Sequence, residues 1–150
     1  MRYSEEIEIE LPRERVIELF DDPESLHRWQ QGLTHFELES GSPGQPGART
    51  RLVYDTRGRR FELIETITVR DLPERFEGTY ENPGMWNEVR NRFEELGPDR
   101  TRWTCDSEFR GQTLTMKALC LLAPGLFRKE TRRMLEAFRE FAETEGTRRA

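Results

Sequence analysis

The spacing of apolar residues is most regular near the end of the chain, where it predicts a long amphipathic helix. Residues of one face recur there at steps of three and four positions, and charged residues fill the opposite face. Pro124 suits the first turn of such a helix because its missing N–H would be unpaired there, and Gly146 follows the last apolar position as a stop signal. The inner face consists of Leu126, Phe127, Thr131, Met134, Leu135, Phe138, Phe141 and Ala142.

The beginning of the chain has a different pattern, in which isoleucine and leucine alternate with glutamate. This alternation over residues 6–11 predicts a strand with one buried and one exposed face. Prolines then introduce two short segments with helical spacing, residues 13–20 and residues 24–30. We therefore predict that two short helices follow the first strand.

Residues 33–110 show alternating patterns that are interrupted by glycine and proline, which predicts six strands separated by turns. Strands joined by such short turns must be antiparallel. A sheet with one apolar face needs a cover, and the terminal helix is the element long and apolar enough to supply it. We therefore predict an α+β fold in which a curved antiparallel sheet of about seven strands wraps around the long C-terminal helix. The six predicted strands cover residues 34–39, 48–55, 61–70, 75–80, 85–96 and 100–110.

An apolar block, residues 114–123, precedes the terminal helix and contains Lys117 as its only charge. The block is too short to span a membrane, which takes about 20 apolar residues. We interpret it as a short buried helix or strand end that leads into the long helix. A mobile gate over a cavity and a patch that contacts lipid are the alternatives that the sequence leaves open.

Composition limits the classes of partner and cofactor. A chain of 150 residues corresponds to one domain, with an ordered core expected over about residues 3–144. The net charge of −5 gives no basic surface for a phosphate backbone, so we expect no nucleic-acid partner. Cys105 and Cys120 lack the spacing of a disulfide framework or a zinc site, and we expect neither a metal nor a cofactor.

The N-terminus and the charged residues bear on where the protein acts. The first ten residues carry charges from the second position onward and lack the apolar segment of a signal peptide, which favours a cytoplasmic location without stable membrane insertion. Almost all basic residues are arginine, and only Lys117 and Lys129 are lysine. This bias favours a bacterial source.

The order of these elements resembles a known family. The strand at residues 7–12 with the segment 13–23, the Leu-His-Arg-Trp segment at residues 26–29 and the helix at residues 127–143 are similar to the START-like superfamily, also called SRPBCC. That superfamily contains the birch-pollen-allergen fold, polyketide cyclases and lipid-transfer domains. The resemblance implies a helix-grip fold with a hydrophobic cavity between the sheet and the terminal helix, which holds lipids, polyketides or other apolar molecules. It supplies no shared catalytic motif to carry over.

Strand alternation shows which side chains would face this cavity, because residues two positions apart share a face. Our predicted ligand-binding residues are Trp29, Leu63, Glu65, Ile67, Tyr80, Asn87, Val89, Asn91, Trp103, Phe109, Met134 and Phe138. Further side chains should point inward by the same alternation, namely Val69, Phe76, Phe93 and Ser107, with Arg51 and Asp55 as additional candidates.

Glu65 is the most informative of these residues because a carboxylate on an apolar face is costly unless it is paired, hydrogen-bonded or protonated. An ion pair with Arg51, or a bulge that turns Glu65 to solvent, would explain it without a function. The functional interpretation is a polar anchor or an acid/base with a raised pKa. Tyr80 is a second candidate, as a hydrogen-bond donor to a ligand.

Three functional hypotheses follow from the sequence. The favoured one is a non-catalytic carrier or sensor of an apolar small molecule. The second is a cyclase or dehydratase-like enzyme in which Glu65 or Tyr80 moves a proton on a polyketide-type substrate. The third is a protein-interaction domain whose interior is filled by aromatic side chains. The residues that would fill the interior are Phe61, Phe76, Phe93, Trp103, Phe109 and Phe138.

Trp86 lies at a strand position that should face outward, and it is a candidate for a contact in a homodimer.

Overall fold

A computed structural model of the protein describes residues 1–148, which form an antiparallel sheet of seven strands and four α-helices. The order of elements confirms the predicted helix-grip fold. A single 3-10 turn, Pro23–Ser25, precedes the second helix, where the sequence predicted a helix over the whole segment. The strands are β1 Arg2–Ile9, β2 Leu33–Ser40, β3 Arg49–Thr56, β4 Arg59–Asp71, β5 Arg75–Asn82, β6 Met85–Gly97 and β7 Arg100–Gly111, and the helices are α1 Arg13–Phe20, α2 Leu26–Trp29, α3 Leu114–Leu122 and α4 Pro124–Arg148.

The strand order explains why the two ends of the sheet differ. The order is β1-β7-β6-β5-β4-β3-β2, and every neighbouring pair is antiparallel. The long helix α4 packs mainly against β1, at one edge of the sheet. The opposite edge is β2, a strand whose residues are almost all exposed. The helix therefore covers one half of the inner face more closely than the other.

The hydrophobic core fills the half of the interior beneath β1, β6 and β7. Its largest fully buried side chains are Trp103, Phe93 and Phe138, and the ring centroids of Trp103 and Phe138 lie 5.1 Å apart in an edge-to-face contact. Residues of α1 and α4 complete this cluster. A smaller buried cluster, Ala48, Ile67 and Phe76, lies on the inner side of β4 and β5. The inner face of β3 to β7 continues beyond both clusters and borders open space.

A bulge in β4 reverses the predicted alternation near its end. Ile67 pairs with Gly78, whereas Val69 pairs with Glu77, so Thr68 is an extra residue between the two pairs. Directly opposed residues share a face, and the carboxylate of Glu77 lies on the outer face with Arg75 and Arg90. The prediction that Val69 points inward is therefore wrong.

The inner face of β3 is also the opposite of the one we considered. Thr50 pairs with Glu65, and Tyr54 pairs with Phe61, which places Thr50 and Tyr54 on the inner face. Arg51 forms ion pairs with Glu37 and Glu62 on the outer face. Arg51 and Asp55 therefore do not point inward, and the expectation that they do is wrong.

Two predictions about the helices also need correction. Residues 114–122 form a helix as one alternative allowed, but no residue of α3 is buried, so the interpretation as a buried element is wrong. Helix α4 begins at Pro124 as predicted and continues past Gly146. Gly146 is instead a point of close packing, because a Cβ atom there would lie 2.5 Å from Leu11 Cδ2.

Candidate functional site

A cavity of about 930 Å3 lies between the inner face of the sheet and helices α2, α3 and α4. Its volume is within the range of small-molecule sites, about 300–1,000 Å3. Most of its wall is apolar. Several wall residues are exposed to solvent and so mark where the cavity opens, among them Arg57 in the β3–β4 turn, Arg59 at the start of β4 and Leu126 in the first turn of α4.

This cavity contradicts the filled-core hypothesis. Phe93 and Phe138 are fully buried and pack against Trp103 on the core side, as predicted for filling residues. Phe61 and Phe109, in contrast, stand on the wall with open space beside them. The aromatic side chains therefore close one end of the interior and leave the other end open.

The structure brings eleven of the twelve predicted ligand-binding residues to the cavity wall. The exception is Phe138, which lies in the closed core between Trp29 and Trp103. A role of these eleven residues in binding stays a prediction. They are Trp29, Leu63, Glu65, Ile67, Tyr80, Asn87, Val89, Asn91, Trp103, Phe109 and Met134.

Sequence reasoning missed the part of the wall formed by β2 and β3. The signal was present in β3, because Leu52 and Tyr54 alternate with Arg51 and Asp55 in the pattern of a strand with one wet face. The wall residues contributed by these two strands are Phe36, Leu38, Thr50, Leu52, Tyr54 and Thr56.

Glu65 lies on the cavity wall directly opposite Tyr80 in the β4–β5 ladder. The Tyr80 hydroxyl donates a hydrogen bond of 2.7 Å to Glu65 Oε2. The two explanations without a function both fail, because Arg51 is on the other face and the β4 bulge lies at Thr68, beyond Glu65. The residue is therefore an inward-facing carboxyl group with a tyrosine as its partner.

Burial determines the acid–base properties of this pair. Desolvation raises the pKa of Glu65 above its usual range, and the hydrogen bond from Tyr80 offsets part of the effect. Burial and the adjacent carboxylate also raise the pKa of Tyr80 well above that of a free tyrosine. The surroundings thus favour the neutral form of both side chains, which suits a hydrogen-bonding anchor in an apolar site.

A second tyrosine extends the polar end of the cavity. The Tyr54 hydroxyl donates to Gln30 Oε1 over 3.3 Å, and Gln30 Nε2 lies 3.6 Å from the sulfur of Met134. Burial raises the pKa of Tyr54, and the proximity of Glu65 adds to the effect. These contacts tie β3 to the residue after α2 and to α4, and so help to close the space between sheet and helix.

The two asparagines on the wall are occupied by protein partners. Asn91 Nδ2 donates to the Phe76 carbonyl oxygen over 3.2 Å, and Asn91 Oδ1 accepts a 2.8 Å hydrogen bond from the indole of Trp103. Asn87 Nδ2 donates to the Glu108 carbonyl oxygen over 3.0 Å. Both amides therefore stabilise the β5–β6–β7 region, and Asn91 also fixes the Trp103 ring at the end of the cavity.

Other reactive groups are poorly suited to chemistry in this cavity. Cys105 borders it, but burial raises the pKa of its thiol to about 12, which disfavours the reactive thiolate. Within residues 1–148 no group of three or more His, Cys, Asp or Glu side chains is arranged to hold a metal ion. The same residues include no helix with both the length and the apolarity of a membrane-crossing segment.

Comparison with known families agrees with the geometry of the cavity. Residues 1–143 match the model of the family described as polyketide cyclase / dehydrase and lipid transport. The chain belongs to this family. No curated protein matches the chain in sequence.

Solved structures from several organisms share the fold of this family member. An aromatase/cyclase from Streptomyces sp. R1128 has a TM-score of 0.78 at 14% identity, over 95% of this chain and 93% of that chain. A START superfamily protein from Mycobacterium smegmatis has a TM-score of 0.75 at 16% identity, over 95% and 97%. A protein from Thermus thermophilus has a TM-score of 0.78 at 19% identity, over 97% and 99%. Identities this low establish the fold alone.

Proposed function

We propose that this family member binds or transports a hydrophobic small molecule, such as a lipid or a polyketide, in the cavity between the sheet and α4. The observation that carries the proposal is the cavity itself, which has about 930 Å3 of space and a mostly apolar wall. Transfer of an apolar molecule from water to such a cavity is favourable in free energy, whereas water molecules that fill the cavity find few hydrogen-bond partners on its wall. The family description, which includes lipid transport, supports the same class of ligand.

The Glu65–Tyr80 pair gives the ligand a preferred polarity and orientation. Among the described residues, Tyr80 is the hydrogen-bond partner of the Glu65 carboxyl group, and it uses one of the two oxygens. In its neutral form Glu65 can donate its proton to a carbonyl or hydroxyl oxygen of a ligand, while the rest of the ligand contacts apolar side chains. A neutral ligand with one oxygen at its end fits this arrangement better than an anion, which would lie against a carboxyl group.

The direct test is to identify what the protein carries. Native mass spectrometry of protein purified from its own host is expected to show a bound species that solvent extraction releases as an apolar molecule. Displacement of an apolar fluorescent dye by the extracted molecule would locate it in the cavity. An apo mass together with a dye that does not bind would contradict the proposal.

A second function, that of a polyketide cyclase or dehydratase-like enzyme, is favoured by one observation. The Tyr80–Glu65 hydrogen bond of 2.7 Å puts two proton-carrying groups side by side on the wall of a cavity large enough for a folded polyketide chain. The structural similarity to an aromatase/cyclase supports this candidate. In such a reaction the ionised form of Glu65, which its raised pKa makes a stronger base, would remove a proton next to a ketone. The carbanion would add to a second ketone carbon that the folded chain holds nearby, and the protonated Glu65 would return the proton to the resulting alkoxide oxygen.

Turnover distinguishes the enzyme from the carrier. A linear poly-β-ketone surrogate incubated with the protein would give a cyclised or dehydrated product if the enzyme hypothesis holds, and Glu65→Gln would abolish the product while still binding the surrogate. Binding of the surrogate without any product, in the wild type, would favour the carrier.

We also propose that the protein acts in the cytoplasm, without a nucleic-acid partner, and that Trp86 is a candidate contact in a homodimer. Trp86 lies on the outer face of β6, where the Arg110 guanidinium carbon stands 4.5 Å from its ring centroid. This stacking already covers part of the ring. Light scattering of the wild type and of Trp86→Ala would test the dimer.

A further inference from the structure

The outward face of α3 presents leucine side chains to solvent without any covering element. Leu114, Leu121 and Leu122 are 86%, 80% and 79% exposed. At 100° per residue these three positions fall on one stripe together with Ala118, and Lys117 borders the stripe. Because leucines this exposed cost solubility and contribute nothing to the core, the stripe is better explained by a contact than by folding.

The stripe adjoins the opening of the cavity. Leu126, at the start of α4, is 56% exposed and also borders the cavity, and Leu119 of α3 borders it from the inside. Among the described residues, eight large hydrophobic side chains are exposed. All but Leu96 lie either within residues 114–126 or on the cavity wall. The other exposed wall residues are Phe36, Leu38 and Phe61.

The part of the chain around this stripe has a net charge opposite in sign to that of the whole protein. Residues 111–133 contain five basic side chains and one acidic side chain, a net charge of +4, whereas the protein carries −5. Arg128 and Arg132 pair with Glu5, and Arg133 pairs with Glu130. Within the part of the chain that the structure describes, no ion pair involves Lys117 or Lys129, the two lysines of the protein.

We propose that this surface, formed by Leu114, Lys117, Leu121, Leu122, Leu126 and Lys129 and here called the leucine–lysine face, docks on an anionic lipid bilayer. The leucines insert among the headgroups, and the two ammonium groups contact lipid phosphates. Docking places the cavity opening against the bilayer, so that an apolar ligand passes between them without crossing water. This inference goes beyond ligand binding, and the docking step itself does not require an occupied cavity.

The chemistry of the face favours a bilayer over a protein partner. Its apolar part is aliphatic and protrudes from the exposed side of α3, whereas protein interfaces concentrate tyrosine, tryptophan and arginine in complementary pockets. A row of protruding leucines flanked by lysines is typical of helices that lie at a membrane surface. An acidic protein and a second copy of the chain are the alternatives that the experiment separates.

The test is co-sedimentation of the full-length protein with vesicles of phosphatidylcholine alone and of phosphatidylcholine mixed with phosphatidylglycerol. We expect binding to the mixed vesicles, reduced by added salt because salt screens the lysines. Leu121→Ser/Leu122→Ser and, separately, Lys117→Gln/Lys129→Gln should each lower the partition coefficient roughly tenfold or more. Leu96→Ser removes an exposed leucine on β6, away from the face, and should leave it unchanged.

Dye binding to the cavity, measured on the same variants, keeps this test separate from the proposed function, since none of the four mutated positions of the face borders the cavity. Vesicle binding that is absent, or that persists in Leu121→Ser/Leu122→Ser, would overturn the docking proposal whatever the dye shows. A dimer that dissociates in the same variant, or an acidic protein bound through the lysines in place of vesicles, would also overturn it.

Discussion

Leu63→Glu is expected to weaken the binding of an apolar dye or ligand by roughly a hundredfold. Leu63 borders the cavity from β4, next to the Glu65 position on the same face. A carboxylate there must either stay hydrated, which removes apolar wall from the ligand, or lose its water beneath the ligand. Burial of a polar group without a partner costs roughly 2–7 kcal/mol, and about 2.7 kcal/mol corresponds to a hundredfold change in affinity. Fluorescence titration measures the loss.

The matched control is Ile64→Glu, which introduces the same side chain at the next position of β4. Ile64 pairs with Arg51 across the ladder and shares its outer face. A glutamate there meets a guanidinium group and no ligand, so dye affinity should stay within about twofold of the wild type. Equal losses in the two variants would show that unfolding, and not the cavity, causes the effect. Unchanged affinity in Leu63→Glu would remove the cavity as the binding site.

Glu65→Gln is expected to stabilise the protein at neutral and alkaline pH. Desolvation raises the pKa of Glu65 in the folded state above the value of about 4.3 for an unfolded chain. The folded state therefore holds this proton more tightly, so stability falls as pH rises from the unfolded pKa through the folded pKa. Glutamine does not titrate and avoids that loss. The two melting temperatures should converge below about pH 4 and separate above it, by about 2–4 °C for each kcal/mol.

Ligand binding should show the same linkage. A neutral apolar ligand removes water from the cavity and so favours the protonated form of Glu65. The affinity of the wild-type protein for the ligand should therefore fall with rising pH. In Glu65→Gln the affinity should not change over the same pH range, and titrations at several pH values check this.

Glu62→Gln is the control for the stability prediction. Arg51 holds the pKa of Glu62 below its usual range on the outer face, and losing that pair cannot stabilise the protein at neutral pH. A Glu65→Gln protein less stable than the wild type at pH 8 would contradict the assignment.

Elements set by local periodicity could be predicted from the sequence. The three- and four-residue spacing of α4 and the alternation in β1 each depend on the residues of that segment alone. The inner position of Glu65, Tyr80 and Asn87 followed from simple alternation, because no bulge interrupts the ladders at these residues. The part of the cavity wall that β4, β5, β6 and β7 form was accessible to prediction for the same reason.

Features that depend on contacts between elements were not accessible in this way. Thr68 resembles any other strand residue, yet it is the extra residue that turns Val69 outward. Gly78 gave an indirect signal, because a Cβ atom there would lie 2.9 Å from the Thr66 carbonyl oxygen, and a glycine within a strand often marks a close approach or a bulge. The exposure of α3 could not be predicted, since its apolar composition is equally typical of a buried helix.

The position of the solid core under β1, β6 and β7 has a consequence for local stability. The inner faces of β2, β3 and β4 border open space, and β2 is an edge strand with one hydrogen-bonded neighbour. Amide hydrogens in β2 and β3 should therefore exchange with solvent through local openings of low free energy, while those of β7 exchange only through global unfolding. A molecule in the cavity supplies the missing half of the core and should slow exchange in β2 and β3 selectively. In this sense a bound ligand would be a structural component of the folded protein.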